Sequence, residues 1–188
     1  METAGRKKLT TKELVYISMF AAIMAVCSWI SVPAPAPLSP FTMQTFGVFA
    51  ALLILGGRKG LLSVLVFILL GTVGAPVFSG FKGGLGVILG TTGGYIVGFI
   101  FMALVYIAAE KLFGSGSFVK LMALIVGLAV CYAFGTAWFM VVYTKNTGSV
   151  GLGTALMWCV VPFILPDIAK LLLAWSLSAA VGKRLSIR

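Results

Sequence analysis

Four acidic side chains occur in this sequence, Glu2, Glu13, Glu110 and Asp167, and Asp167 alone sits inside a long apolar run. Lys170, three residues on, is the one basic residue in the same run. At a spacing of three the two share a helix face and come within reach of each other. A helix from Pro162 to Gly182 would be about 30 Å long, with both charges near its middle. At a lipid-exposed helix centre each would cost about 2.5–3.5 kcal/mol. A self-neutralising pair tolerates that cost, yet two apolar side chains would be cheaper still. The pair therefore reads as a ligand site. Asp167 would accept hydrogen bonds, and Lys170 would donate them or meet an anion.

Other candidates cluster around that pair by type. Pro162 and Pro166 bracket Phe163, and a proline leaves the carbonyl four residues earlier without its amide partner. The spacing thus predicts a helix that breaks or starts here, with Phe163, Asp167, Lys170 and Ala174 on one face. In Pro40-Phe-Thr-Met-Gln-Thr45, Thr42 and Gln44 are polar groups at the mouth of a second apolar run, and a glutamine amide both donates and accepts. The stretch Gly71 to Tyr95 is dense in glycine but lacks the spacing of a phosphate-binding loop. It predicts close backbone approach or a lid. Within it Lys82 is either placed to attract an anion or a solvated loop lysine, and Phe78 and Tyr95 would flank a ligand, although aromatics there also serve as packing or interface anchors. Ala21 and Ala25 on the first run form a small-xxx-small pattern, suited to internal helix packing or to a partner helix. Cys27, Cys131 and Cys159 lie in apolar runs without CxxC spacing, and there is no histidine. Buried small hydrophobes are expected, with no metal and no cofactor.

Elements that hold two charges away from water must be embedded in something apolar. Of 188 residues, 61% are hydrophobic and 10% are charged, and mean hydropathy is +1.14. A soluble chain carries roughly a quarter charged residues, so the solvent here is the lipid bilayer. Charges punctuate the text into spans of about 14–32, 41–55, 61–78, 93–109, 121–143 and 158–181. This predicts an all-α membrane protein, one domain over 1–188, built as a six-helix transmembrane bundle. The basic start before Leu14 resembles a leader peptide, but the apolar run continues to Val32, which predicts a retained first span.

Arg6, Lys7, Lys8, Lys12, Arg58, Lys59, Lys111, Lys120, Lys183, Arg184 and Arg188 fall on one side of that layout, and only Lys82 and Lys145 on the other. Eleven against two predicts cytoplasmic termini. The Pro33–Pro40, 79–92 and 144–153 loops then face outward, where they would cap a cavity. Positive charge at span ends is topological, so a net charge of +10 implies no nucleic-acid partner. With no Ser–His, Cys–His or paired intramembrane carboxylates, an enzyme is not expected. A small-molecule carrier is, and a proton-coupled carrier with Asp167 as relay is the alternative.

Pro40-Phe-Thr-Met-Gln-Thr45, Gly71-Thr-Val-Gly-Ala-Pro-Val-Phe78, Gly90-Thr-Thr-Gly-Gly-Tyr-Ile-Val-Gly-Phe99 and Pro162-Phe-Ile-Leu-Pro-Asp-Ile-Ala-Lys170 together resemble the BioY family. These are biotin-specific substrate-binding (S) components of energy-coupling factor (ECF) transporters of the prokaryotic plasma membrane. The resemblance implies that biotin is captured from outside. It is then delivered by toppling of the S component in the lipid, with a transmembrane coupling protein and two cytoplasmic ATPases as partners. It also implies that Asp167 and Lys170 match the family's charged pair, and that the alanine-rich first helix, with Ala21 and Ala25, docks the coupling protein. An S component for another vitamin would share this architecture.

Overall fold

The computed structural model describes residues 9–32 and 40–182. The basic residues Arg6, Lys7, Lys8, Lys183, Arg184 and Arg188, and the proline-rich segment 33–39, lie outside the described residues. The chain is helical almost throughout. Helix α1 (Thr11–Trp29) leads through a two-residue strand β1 (Ser31–Val32), paired antiparallel with β2 (Phe41–Thr42), into α2 (Gln44–Leu55) and α3 (Gly57–Thr72). A 3-10 turn at Ser79–Phe81 and a short α4 (Leu85–Leu89) precede α5 (Gly93–Phe113) and α6 (Ser117–Asn146). Helices α7 (Leu152–Cys159) and α8 (Val161–Gly182) complete the described chain.

Among the described residues, four segments are long and apolar enough to cross a membrane: α1, α5, α6 and the α7–α8 stretch. Together with the lipid-compatible exposure of side chains such as Leu165, Leu172 and Leu173, they make this a helical membrane protein. Helix α2 is only 12 residues, and nine of them are buried. It is the central helix, sheathed by protein, and α1, α3 and α8 pack around it.

Three boundaries differ from the sequence expectation. The third apolar run continues to Phe78, but α3 stops at Thr72. Gly74 takes a left-handed φ of 111°, and Pro76 has no amide to donate, so the backbone turns away while the side chains stay apolar. The 79–92 stretch, expected as loop, contains the 3-10 turn and α4. The last span divides at Val160, so α8 starts with Pro162 in its first turn, where a missing N–H is tolerated, and runs on through Pro166.

Helix α1 opens with a capping box, in which the Thr10 hydroxyl accepts from the Glu13 amide and Glu13 accepts from the Thr10 amide at 2.9 Å. Glu13 also pairs with Lys59 at 3.1 Å. Glu110 near the end of α5 accepts from the Gly57 amide at 3.0 Å. The start of α1, the α2–α3 turn and the end of α5 are thus tied at one end of the bundle. The α5–α6 hairpin closes on small residues: a methyl added at Gly98 would lie 2.7 Å from Cys131 Sγ, and one at Gly127 2.8 Å from Met102.

Candidate substrate-binding site

At the opposite end the helices spread around a cavity of about 630 Å³, within the range of small-molecule sites. The start of α2 gives Gln44 and Thr45, the start of α5 Tyr95, Ile96 and Phe99, α6 Cys131 and Tyr132, and α8 Phe163, Asp167 and Lys170. Phe78, Lys82 and the 86–92 stretch supply a further part of the wall.

Two indoles hold that glycine-rich wall in place. Trp29 at the end of α1 donates from Nε1 to the Pro76 carbonyl at 2.7 Å, and Phe81 stacks on it at 5.1 Å. Trp138 on α6 donates to the Gly90 carbonyl at 3.0 Å. The Phe78 amide donates to the Lys82 carbonyl at 2.9 Å, which closes the turn between them.

Asp167 is 2% and Lys170 7% exposed, and they pair at 2.7 Å. Asp167 Oδ1 also accepts from the Thr45 hydroxyl at 2.8 Å, and Oδ2 accepts from the Tyr132 hydroxyl at 2.5 Å. Lys170 donates to Thr45 as well, at 3.2 Å. A carboxylate offers about four acceptor positions and an ammonium three donors. Among the described residues, one acceptor position on Oδ2 and one donor on Nζ are left over. In the same cavity Gln44 Nε2 is buried with no hydrogen-bond partner among the described residues. A buried amide without a partner costs about 1–3 kcal/mol, so an orphan on a cavity wall marks a place where a ligand completes the bonding.

Gln44→Met is therefore expected to leave the empty protein as stable as the parent or slightly more so, while weakening ligand binding about tenfold. Paired thermal-unfolding and binding measurements check this, and equal losses in both would return Gln44 to a structural role.

The cavity brings together Thr42, Gln44, Phe78, Lys82, Tyr95, Phe163, Asp167 and Lys170. Thr42 caps the turn into α2 by accepting from the Gln44 amide at 3.4 Å. Tyr95 is tied through its hydroxyl to Thr136 on α6 at 3.0 Å, and Gly135 leaves the room its ring occupies. Phe163 stacks on Phe41 at 4.5 Å. Sequence reasoning missed Thr45 and Tyr132. Thr45 stood inside the quoted Pro40–Thr45 motif, whereas Tyr132 carried no signal beyond being a hydroxyl in an apolar run.

For Ala21 and Ala25 the structure favours internal packing over a partner contact. They are 2% and 6% exposed, buried in the protein's own core with Met24 and α2, so their small side chains serve internal packing. The outward stripe of α1 is instead Val15, Met19, Ala22 and Val26.

Fold and site together define a helical membrane protein with a substrate-sized cavity, polar at its buried end, enclosed by α2, α5, α6 and α8. A family model described as the BioY family matches residues 2–187. The chain is 39% identical to the biotin transporter BioY of Thermotoga maritima over 87% of its own length and 91% of that protein. It is also 39% identical to the probable biotin transporter BioY of Pyrococcus horikoshii, over 86% and 91%. Among solved structures it superposes on the S-component for biotin from an ECF-type ABC transporter with a TM-score of 0.80. That match has 25% identity and covers 95% and 96% of the two chains. The chain belongs to the BioY family.

Proposed function

We propose that this protein is the biotin-binding S component of an ECF-type importer in a prokaryotic cell membrane. It captures the vitamin outside and passes it inward with a transmembrane coupling protein and two cytoplasmic ATPases. The observation that carries the reading is the unfinished hydrogen bonding around Asp167, Lys170 and Gln44. A free acceptor beside two free donors complements an N–H next to a C=O, which is the edge of a cyclic urea. Asp167 Oδ2 would accept from a ureido N–H, while Lys170 Nζ and Gln44 Nε2 would donate to the ureido oxygen. Phe78, Tyr95, Ile96 and Phe99 offer apolar surface to a thioether ring and an alkyl arm. The biotin-transporter names of the relatives and the biotin S-component neighbour support the same substrate.

In this reading the bundle has six spans, with α2 and α3 completing the four long ones. A 12-residue helix rises only about 18 Å, but α2 faces protein on nearly every side and need not match the lipid thickness. The end that carries Lys12, Arg58, Lys59, Lys111 and Lys120 is cytoplasmic by the positive-inside rule. The site then opens outward, and ATP hydrolysis belongs to the partners rather than to this chain.

Titration of the purified protein with biotin, in competition with thiamine and riboflavin, tests the substrate. Biotin alone should bind tightly; displacement of biotin by either of the others at similar concentration would overturn the assignment.

Docking of the coupling protein falls on the exposed stripe of α1. Ala22→Trp is expected to reduce uptake by the assembled importer at least tenfold while the isolated protein binds biotin as before. Unimpaired uptake would place the docking surface elsewhere.

A further inference from the structure

The two ends of the cavity differ in kind. Asp167, Lys170 and Gln44 form a deep end no more than 7% exposed. At the other end Gly80, Lys82 and Gly86 are exposed to the outside of the molecule. Phe78, Tyr95, Ile96 and Phe99 line the same cavity. An acid arm cannot be placed at the deep end, because Asp167 would repel it at low dielectric and the one cation there, Lys170, is already matched at 2.7 Å. Residues 73–92 hold a single cation, Lys82, and no acid. The arm's carboxylate therefore belongs at the Lys82 rim, in contact with water.

We infer that the site takes carboxyl amides of its ligand as well as the free acid, since among the described residues a group attached to the arm leaves through the exposed rim instead of meeting a wall. This rests on the biotin reading and extends the substrate class to conjugates in which biotin is joined to an amine. The carboxylate's gain at Lys82 is that of an exposed ion pair, so losing it costs little.

The experiment is calorimetric titration of the full chain in detergent with biotin and with biotin amide-linked to the ε-amino group of lysine. The parent protein should bind both within tenfold of each other. Lys82→Ala should weaken free biotin about two- to fivefold, the scale of an exposed ion pair, and leave the amide unchanged. An amide bound more than tenfold more weakly than biotin by the parent overturns the inference. So does a Lys82→Ala variant that weakens both ligands equally or neither. If the parent does not bind biotin at all, the underlying reading falls too; if it binds biotin but rejects the amide, only the extension falls.

Discussion

Asp167→Asn is expected to weaken biotin binding about 100-fold, or about 2.7 kcal/mol, and to destabilise the empty protein at the same time. The asparagine is nearly isosteric, so shape is not the cause. Three donors converge on the carboxylate: the Thr45 and Tyr132 hydroxyls and Lys170 Nζ. Whichever way the asparagine amide turns, its NH2 faces at least one of them and an acceptor is lost. Lys170 is then a buried cation without a counter-charge, the situation that costs about 3–5 kcal/mol when one member of a buried pair is removed.

The ligand's N–H loses a charged acceptor in the same step, worth about 1.5–3 kcal/mol. The double variant Asp167→Asn/Lys170→Met separates the two effects. Removing both charges should recover most of the thermal stability, because a buried pair adds little over apolar replacements. Binding should stay lost. A double variant that is stable and binds biotin like the parent would show that the pair is scaffolding and that the site lies elsewhere.

The pair was legible because ionisable groups in an apolar run are costly wherever they occur, so their presence is informative without any knowledge of neighbours. Tyr132 was not. A tyrosine in a membrane helix is ordinary, and its role depends on α6 facing α8 across the cavity, a long-range fact that no local pattern encodes. Helix α1 shows the same limit from another side. It is apolar nearly all round, so periodicity does not say which stripe faces inward, and Ala21 and Ala25 went to the core while Ala22 went out. The end of α3 was half-written. Gly74 and Pro76 stand in the quoted Gly71–Phe78 motif, but the hydrophobic text runs past them because Phe78 folds back under the loop into the core.

That fold-back makes Gly71→Ala the most informative single change away from the charges. Within a helix, alanine in place of glycine normally stabilises by about 0.5–1 kcal/mol. Here the opposite sign is expected. A methyl on Gly71 would collide with the outer edge of the Phe78 ring. That ring is 1% exposed and braced edge-on by Phe67 at 5.5 Å. It also lines the cavity, so the cavity is open space into which it can be pushed. The Gly71 carbonyl also accepts the Gly84 amide at 2.6 Å, so a shift of α3 there would pull on the far side of the glycine-rich turn.

Overpacking of this kind costs about 1–3 kcal/mol, and intrusion of the ring into the site should weaken biotin at least tenfold. Shortening the intruder should repair the fold: Gly71→Ala/Phe78→Leu is expected to be more stable than Gly71→Ala, with a coupling energy above about 0.5 kcal/mol in a double-mutant cycle. Unfolding midpoints and biotin titrations on the four proteins of the cycle measure both quantities. A Gly71→Ala protein that gains stability and keeps its affinity would mean that Phe78 does not rest against α3 and does not form that wall of the cavity.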